Sequence, residues 1–403
     1  MPEAVVVSTS RSPIGRAHKG SLKDLRPDDL GAFVIRAALD RVPELSDRDV
    51  VDIMVGCAQP AGEQGYGLAR VISMLLGLDT LPGTTVQRYC ASSLQTTRMA
   101  FHAIKAGEGD AYISAGVEMV SRFVHGKSDG MPDSRNALFA EAAERNSSIG
   151  SAVWKDPRES GQLPDAYIAM GETAENVAGL YSISRREQDE YAALSQSRAQ
   201  ASIESGFFAR EITPVTSPDG SVVTADDGPR AGVTADSLGN LKPVFRADGT
   251  VTAGNCCPVN DGAAALVVMS EDRARELGIT PIARILSTAV TAVSPEIMGI
   301  SPVEATRRAV SQAGLKISDI DLFEINEAFA AQVIPSYRQL DVDVDRVNVH
   351  GGAIALGHPF GMTGARMTST LLNGLSWDDK EFGVETMCAA GGQGMAMVVQ
   401  RLS

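Results

Sequence analysis

Two stretches of the 403-residue chain repeat one order of signals, and that repetition limits the fold more than any other feature. Before residue 118, short apolar segments alternate with segments of helical period. Residues 4–8 read as a buried strand, 27–41 as a helix with Leu30, Phe33, Val34, Ala37 and Ala38 in a stripe, and 52–55 as a strand. Residues 67–76 read as a helix, 84–87 as a β-branched strand, 92–106 as a helix ended by Gly107, and 111–117 as a strand. The alternation resumes with strands at 263–269, 283–289, 322–325 and 347–349, helices at 302–313 and 364–375, and a closing strand pair, 383–388 with 395–402. Strands alternating with helices imply crossover units and a mostly parallel sheet covered on both faces. Ser46-Asp47 precedes one apolar strand and Ser318-Asp319 precedes another. Their offset of roughly 270 residues is too long for a solenoid and points to a duplicated α/β domain. Residues 120–250 differ: rich in Gly, Pro, Ser, Asp and Arg, they hold one clear helical stretch, 185–204. An excursion of that length is expected to be functional. The division expected is therefore 1–119 with 251–272 as one half, 120–250 as an insertion, and 273–403 as the other half.

Composition narrows the function classes. Hydrophobic residues at 44% and charged residues at 21% exclude wholesale disorder. The net charge of −14 argues against a general nucleic-acid or anionic-membrane binder, so an anionic substrate needs a local basic site. No uncharged apolar run reaches the roughly 18 residues of a membrane span. Cys57, Cys90, Cys256, Cys257 and Cys388 are few and scattered, with neither a disulfide framework nor zinc spacing. Free thiols, and a first segment with neither a basic region nor an amphipathic leader, lead to the expectation of a cytoplasmic protein without a metal.

Four reactive side chains stand out. Cys90 lies between a strand and a helix, where main-chain N–H groups and the helix dipole lower a thiol pKa and prepare a nucleophile. A lone Cys is more often a small apolar residue packed under a helix. His358 sits in a glycine-rich loop, 351–359, stiffened by Pro359, where it can serve as a base for Cys90 or be an ordinary buried His. The loop lacks Gly-x-Gly-x-x-Gly, so a dinucleotide reading is weak. Cys388 precedes Ala389-Ala390-Gly391-Gly392 and can move protons or sit beside a hairpin. Asn326 follows an apolar strand and can donate to an oxyanion or cap a helix. Together the four fall at ends of strands expected to be parallel, where open α/β sheets build sites.

With these motifs the sequence resembles the thiolases, acyl-CoA:CoA acyltransferases. The resemblance runs along the whole chain: Ser10-Arg11-Ser12-Pro13-Ile14-Gly15, Cys90-Ala91-Ser92-Ser93, Met170-Gly171-Glu172-Thr173-Ala174-Glu175-Asn176, Thr252-Ala253-Gly254-Asn255, Asn326-Glu327-Ala328-Phe329-Ala330, the 351–359 loop and the 388–394 loop. It implies two layered α/β halves with mixed sheets, a CoA-binding loop domain inserted in the first, and a homodimer or homotetramer. It implies Cys90 as the acylated nucleophile, His358 as its base, Cys388 as acid and base, and Asn326 holding a water in one oxyanion hole. The N–H groups of Cys90 and Ala390 would form a second. Coenzyme A enters as a substrate, with no tightly bound cofactor; Arg230 would meet its adenine and phosphates, and Ser237, Ala253, Cys257, Met298, Phe329 and Met170 its pantetheine arm.

The sequence departs from the family pattern at Ala169, where acetoacetyl-specific members carry His; its small side chain widens the acyl site. Cys257 replaces Ser, Ala390 replaces Gly in the second oxyanion hole, His350 replaces Asn, and residues 123–165 match poorly. The reading that results is a degradative 3-ketoacyl-CoA thiolase of the β-oxidation type, with a complex of β-oxidation enzymes as its setting. The alternatives are a biosynthetic acetyl-CoA acetyltransferase, a ketosynthase-type condensing enzyme, against which Cys388 argues, and a non-catalytic CoA carrier.

Overall fold

The computed structural model describes residues 1–150 and 152–403. β1 (Ala4–Arg11) is a buried, Val-rich strand. α1 (Pro27–Leu39) places Pro27 in its first turn, where no N–H is needed, with Asp28 and Asp29 at the positive end of the dipole. β2 (Asp52–Gly56), α2 (Leu68–Leu75), β3 (Gly83–Val86), α3 (Ser92–Ala106) and β4 (Ala111–Met119) follow. α3 stops at Gly107, whose φ of 75° only glycine adopts freely. The next segment carries α4 (Ala140–Ser147), α5 (Met170–Leu180), α6 (Arg185–Glu204, opened by a Ser184–Glu187 capping box) and α7 (Ala235–Gly239). Then come β5 (Asn260–Ser270), α8 (Glu271–Leu277), β6 (Ala283–Ala292), α9 (Pro302–Gln312), β7 (Leu322–Ile325), α10 (Ala330–Gln339), α11 (Ala353–Leu356), α12 (Thr363–Trp377), β8 (Phe382–Ala389) and β9 (Gln393–Arg401).

The nine strands form one sheet in the order β7-β8-β9-β6-β1-β5-β4-β2-β3, with the short strand Gly15–Arg16 beside β5. The two half-sheets meet at a narrow seam, Val5 opposite Arg284 and Val6 opposite Ala283. α3 and α12 share one apolar core with residues of both halves, Met54, Tyr112 and Leu266 from the first and Met387, Met395 and Met397 from the second. The other face of the first half buries α1 and α2, and that of the second buries α9 and α10. The layers therefore run helix, sheet, helix, sheet, helix, with α3 and α12 in the middle.

The sheet is mixed rather than mostly parallel. Parallel pairing is confined to β2 with β3 and β4, and to β7 with β8. The remaining pairs are antiparallel, since β5 and β9 run back alongside β4 and β8. The strand expected at 347–349 is reduced to one bridge between Phe323 and Val347. Asn348 leaves the extended path at φ 47°, and Arg198 takes the carbonyls of Val344 and Val347. The insertion is more helical than its composition indicates. α5 escaped notice because Gly171 and Gly179 weaken its intrinsic propensity; its place is set by packing, with the Phe245 ring filling the space where Gly171 lacks a Cβ. α10 carries an internal Pro335 that masked it.

Candidate active site

β3 ends at Val86, and the chain turns sharply into α3 through the 3₁₀ turn Tyr89–Ala91, which holds Cys90. Tyr89 sits at φ 45°, a conformation that costs a side-chain-bearing residue free energy and persists only where neighbours enforce it. Ser92 supplies that enforcement: its Oγ accepts from Arg88 N at 2.9 Å and donates to Tyr89 O at 2.6 Å. The turn packs against β8, which carries Cys388, and against α12. Arg88 spans the halves, donating to Gln393 Oε1 at 2.5 Å, while Gln393 Nε2 donates to Ala390 O at 3.0 Å.

His358 follows Gly357, whose φ of 116° and contact with the Asn260 side chain leave no room for a Cβ. The His358 N–H donates to Asn260 Oδ1 at 2.9 Å. The hydroxyl proton of Thr363 goes to Pro359 O at 2.7 Å, so the 2.6 Å contact between Thr363 Oγ1 and His358 Nδ1 is donated by the ring. Nδ1 therefore carries the proton and Nε2 presents its lone pair, towards which Asn326 Nδ2 donates at 3.3 Å. Burial, with a smaller contribution from Arg366, pushes the imidazole down to about 3, so it is neutral at working pH. Asn326 is not a helix cap, since Phe329 takes that place ahead of α10. Its carbonyl accepts from Gln332 Nε2 at 2.6 Å, and its Oδ1 is buried with no partner among the described residues.

The thiols depart from expectation. Burial raises the Cys90 pKa, aided by Cys388 and Glu118 and opposed only by its own N–H. Loss of water outweighs that N–H, and the thiol lies above its usual range. Burial likewise pushes Cys388 up to about 12. Cys257 is raised well above the usual thiol range, first by burial and then by Cys256, Cys90 and Cys388, which places these sulfurs in one neighbourhood. Among the described residues, the Cys90 N–H has no acceptor beyond its own sulfur and the Ala390 N–H has none.

A cavity of about 480 Å³ opens on Cys90, with Tyr89, Ala169, Met170, Phe360, Ala390 and Gly391 in its wall. Met170 also borders a small apolar cluster of Met298, Phe329 and Cys388. Arg230, Ser237 and Ala253 lie apart on the surface. The Ser237 hydroxyl is spent on the α7 cap, donating to Thr234 O at 2.7 Å. Of the four reactive groups, His358 stands beyond α11 rather than at a strand end, and Cys388 lies within β8. His350 does not reach the cavity; it stacks on Phe207 at 3.7 Å.

One buried group escaped the sequence reading. Glu118 Oε2 accepts from Ala58 N at 2.7 Å and Gly361 N at 2.9 Å. Its Oε1 accepts from Gln64 Nε2 at 2.8 Å and Gln59 N at 3.2 Å. One carboxylate thus ties the cavity wall of the first half to the loop that carries His358. A charged residue inside a wholly buried strand was the available signal. Burial pushes its carboxyl up to about 7 against the pull of those donors. Among the described residues no His, Cys, Asp and Glu cluster suited to a metal occurs, and no helix is long and apolar enough to cross a membrane.

Comparison with known proteins places the chain in a family. Residues 4–272 match the thiolase N-terminal domain and residues 279–401 the thiolase C-terminal domain. The chain is 42% identical over 413 residues to a 3-ketoacyl-CoA thiolase of Bacillus subtilis, covering 99% of this chain and 100% of the relative. It is 43% identical to the 3-oxoadipyl-CoA/3-oxo-5,6-dehydrosuberyl-CoA thiolase of Escherichia coli, covering 100% of each. The dimeric peroxisomal thiolase of Saccharomyces cerevisiae superposes with a TM-score of 0.88 at 34% identity, covering 100% of this chain and 98% of that one. The chain belongs to the thiolase family of acyltransferases.

Proposed function

We propose that this thiolase cleaves 3-ketoacyl-CoA with CoA, releasing acetyl-CoA and an acyl-CoA two carbons shorter, in the degradative direction. The observation that carries this reading is that Ala169 lines the same cavity as Cys90: no imidazole fills that space, and an acyl chain longer than acetoacetyl has room. Cys90 passes its proton to His358 Nε2 and its sulfur attacks the keto carbon. The C2–C3 bond breaks, acetyl-CoA leaves as an enolate, and Cys388 protonates it. The second CoA gives its thiol proton to the Cys388 thiolate and attacks the acyl-Cys90 thioester, while His358 returns a proton to Cys90. The unengaged N–H groups of Cys90 and Ala390 suit one developing oxyanion, and Asn326 with His358 the other. Both raised thiols support proton transfer within the site rather than a standing thiolate.

CoA is assigned to the 120–250 insertion and its border, with Arg230 as the local cation and Ser237, Ala253, Cys257, Met298, Phe329 and Met170 along the pantetheine arm. The half-buried end strand β3 and the dimeric yeast relative support a homo-oligomer, a dimer or a tetramer, working in the cytoplasm beside other β-oxidation enzymes. The test is CoA-dependent loss of 3-ketoacyl-CoA enolate absorbance across chain lengths. The reading expects kcat/KM to rise by about tenfold from acetoacetyl-CoA to longer chains. Turnover of acetoacetyl-CoA alone would favour the biosynthetic alternative, and no turnover of any length would remove both.

A further inference from the structure

The cavity at Cys90 has a polar side as well as the apolar one formed by Ile168, Ala169, Met170 and Phe360. Its wall also carries Gln59, Ser128, Asp129, Arg135 and Tyr167. Asp129 is fully engaged: Oδ2 accepts from Gln59 Nε2 at 2.7 Å and Oδ1 from the Tyr89 hydroxyl at 3.3 Å. Gln59 Oε1 accepts in return from Asp129 N at 2.8 Å and Ser128 Oγ at 2.9 Å. These bonds turn the carboxylate into the wall.

Arg135 is different. It is the one cationic residue in this wall, and among the described residues it makes neither an ion pair nor a hydrogen bond. Its guanidinium lies 5.7 Å from the centre of the Tyr167 ring. That ring is fixed: its oxygen accepts from Asn136 N at 3.1 Å, and its edge meets Phe139 at 5.5 Å. The backbone beneath it is anchored to the second half, with Tyr167 N on Asp165 Oδ1 at 2.9 Å and Asp165 N on the buried Glu296 at 2.9 Å. An exposed guanidinium held on a platform, in a wall whose one carboxylate, Asp129, already accepts two hydrogen bonds, suits a ligand that brings its own anion.

We propose that Arg135 receives the terminal carboxylate of the acyl chain, so that the preferred substrates are 3-oxo-dicarboxylyl-CoA thioesters. The proposal rests on the acyltransfer reading above and narrows its substrate class. The only other anions within the reaction are the phosphates of CoA, and the test separates the two sources.

The test compares 3-oxoadipyl-CoA with 3-oxohexanoyl-CoA, six-carbon acyl chains that differ in the terminal carboxylate. Wild type is expected to favour the carboxylate-bearing substrate in kcat/KM by about tenfold or more. Arg135→Gln is expected to bring that ratio close to one, and Arg135→Lys to keep part of it because the charge remains while the planar fork is lost. Wild-type preference for the uncharged chain would overturn the proposal. So would an Arg135→Gln variant that loses both substrates equally while its KM for CoA rises, since the guanidinium would then be reading phosphate. No cleavage of either substrate by wild type would remove the acyltransfer reading itself, a failure distinct from cleavage without preference.

Discussion

The two halves of the molecule are built on one plan and spend it differently. In the first, β1-β5-β4-β2-β3 run in order, with β2 parallel to both β3 and β4. In the second, β6-β9-β8-β7 run in the same sense, with β7 parallel to β8 and Val347 taking the position of β3 through its parallel bridge to Phe323. The residues that leave these matching positions both have a positive φ, 45° at Tyr89 and 47° at Asn348. In the first half the strand survives and aims Cys90 straight into the start of α3. In the second it dissolves into a loop that reaches α12 only after placing His358. The return strands also differ: residues 120–259 lie between β4 and β5, whereas Ala390, Gly391 and Gly392 alone join β8 to β9. On the roles proposed above, a rigid elbow suits a nucleophile that must hold one position, and a long loop suits a base that must reach across to it.

This division of labour is broken most severely at its two sulfurs. Cys90→Ala removes the proposed acyl acceptor, and thiolysis is expected to fall by about 10⁴-fold or more in the CoA-dependent assay. Cys388→Ala is expected to cost about 10²–10⁴-fold, the range of a lost proton transfer. The Cys388 variant should still accept an acyl group from a reactive thioester, and mass spectrometry should locate it on Cys90. An acyl group found elsewhere would reverse the roles of the two halves.

A smaller effect is expected where the halves are tied. Glu118→Gln presents an amide to four N–H donors and so must break contact with Gly361 or with the 58–59 wall. The loop carrying His358 loses its anchor, and a shift of about 1 Å in a catalytic group costs up to about 10²-fold. A purely structural role predicts only lost activity. A positioning role beside Cys90 also predicts that alkylation of Cys90 by iodoacetamide moves to lower pH, because a neighbouring negative charge that raises this thiol is gone. An unchanged alkylation profile would sever Glu118 from the site.

How much of this could be read from the sequence follows from what each residue depends on. The strands β2 and β7 and the helices α3 and α6 were legible because their apolar period and caps are local. The motifs around Cys90, His358 and Cys388 were legible because reactive residue types sat in unusual backbone contexts. The fate of 347–349 was not, since it is decided by Arg198 from the insertion. Nor was the rise of the Cys90 pKa: a strand-to-helix junction is visible in sequence, but the depth of protein over it is a tertiary property. Arg135 escaped for the same reason, because one arginine in a polar stretch gains meaning only from the cavity wall and the Tyr167 ring beside it.

Buried groups of opposite sign also shape the response to acid. His358, in the second half, has its pKa lowered from 6.5 to about 3 by burial, so the unfolded chain binds the extra proton. Its contribution is complete above 6.5 and is lost as pH falls towards 3, with a slope of up to about 1.4 kcal/mol per pH unit. Glu118, in the first half, has its pKa raised from 4.5 to about 7, so its contribution is complete below 4.5 and is lost as pH rises to 7. The two oppose each other between 4.5 and 6.5. Glu324 and Glu385, also raised by burial, act in the same direction as Glu118, so the test is a difference: His358→Asn should gain stability relative to wild type, read as urea midpoint, as pH drops from 7 to 5. A parallel loss in both proteins would show that His358 is not held neutral.

The smallest effect is expected in the insertion, the part that the first half alone carries. Ser237 stands where the pantetheine arm is assigned, yet its hydroxyl already donates to Thr234 O at 2.7 Å and closes the cap of α7. Ser237→Ala should leave KM for CoA within about twofold and cost α7 about 1 kcal/mol at most, the scale of a cap bond. Arg230 is exposed, with its own backbone N–H on Gln196 at 2.8 Å and its guanidinium open to a phosphate. Arg230→Ala should raise KM for CoA by about fivefold at low salt and less at high salt, as a solvent-exposed phosphate contact does. If Ser237→Ala instead produced the larger rise, the cap would have to open when CoA binds, and the insertion would be a moving part rather than a preformed wall.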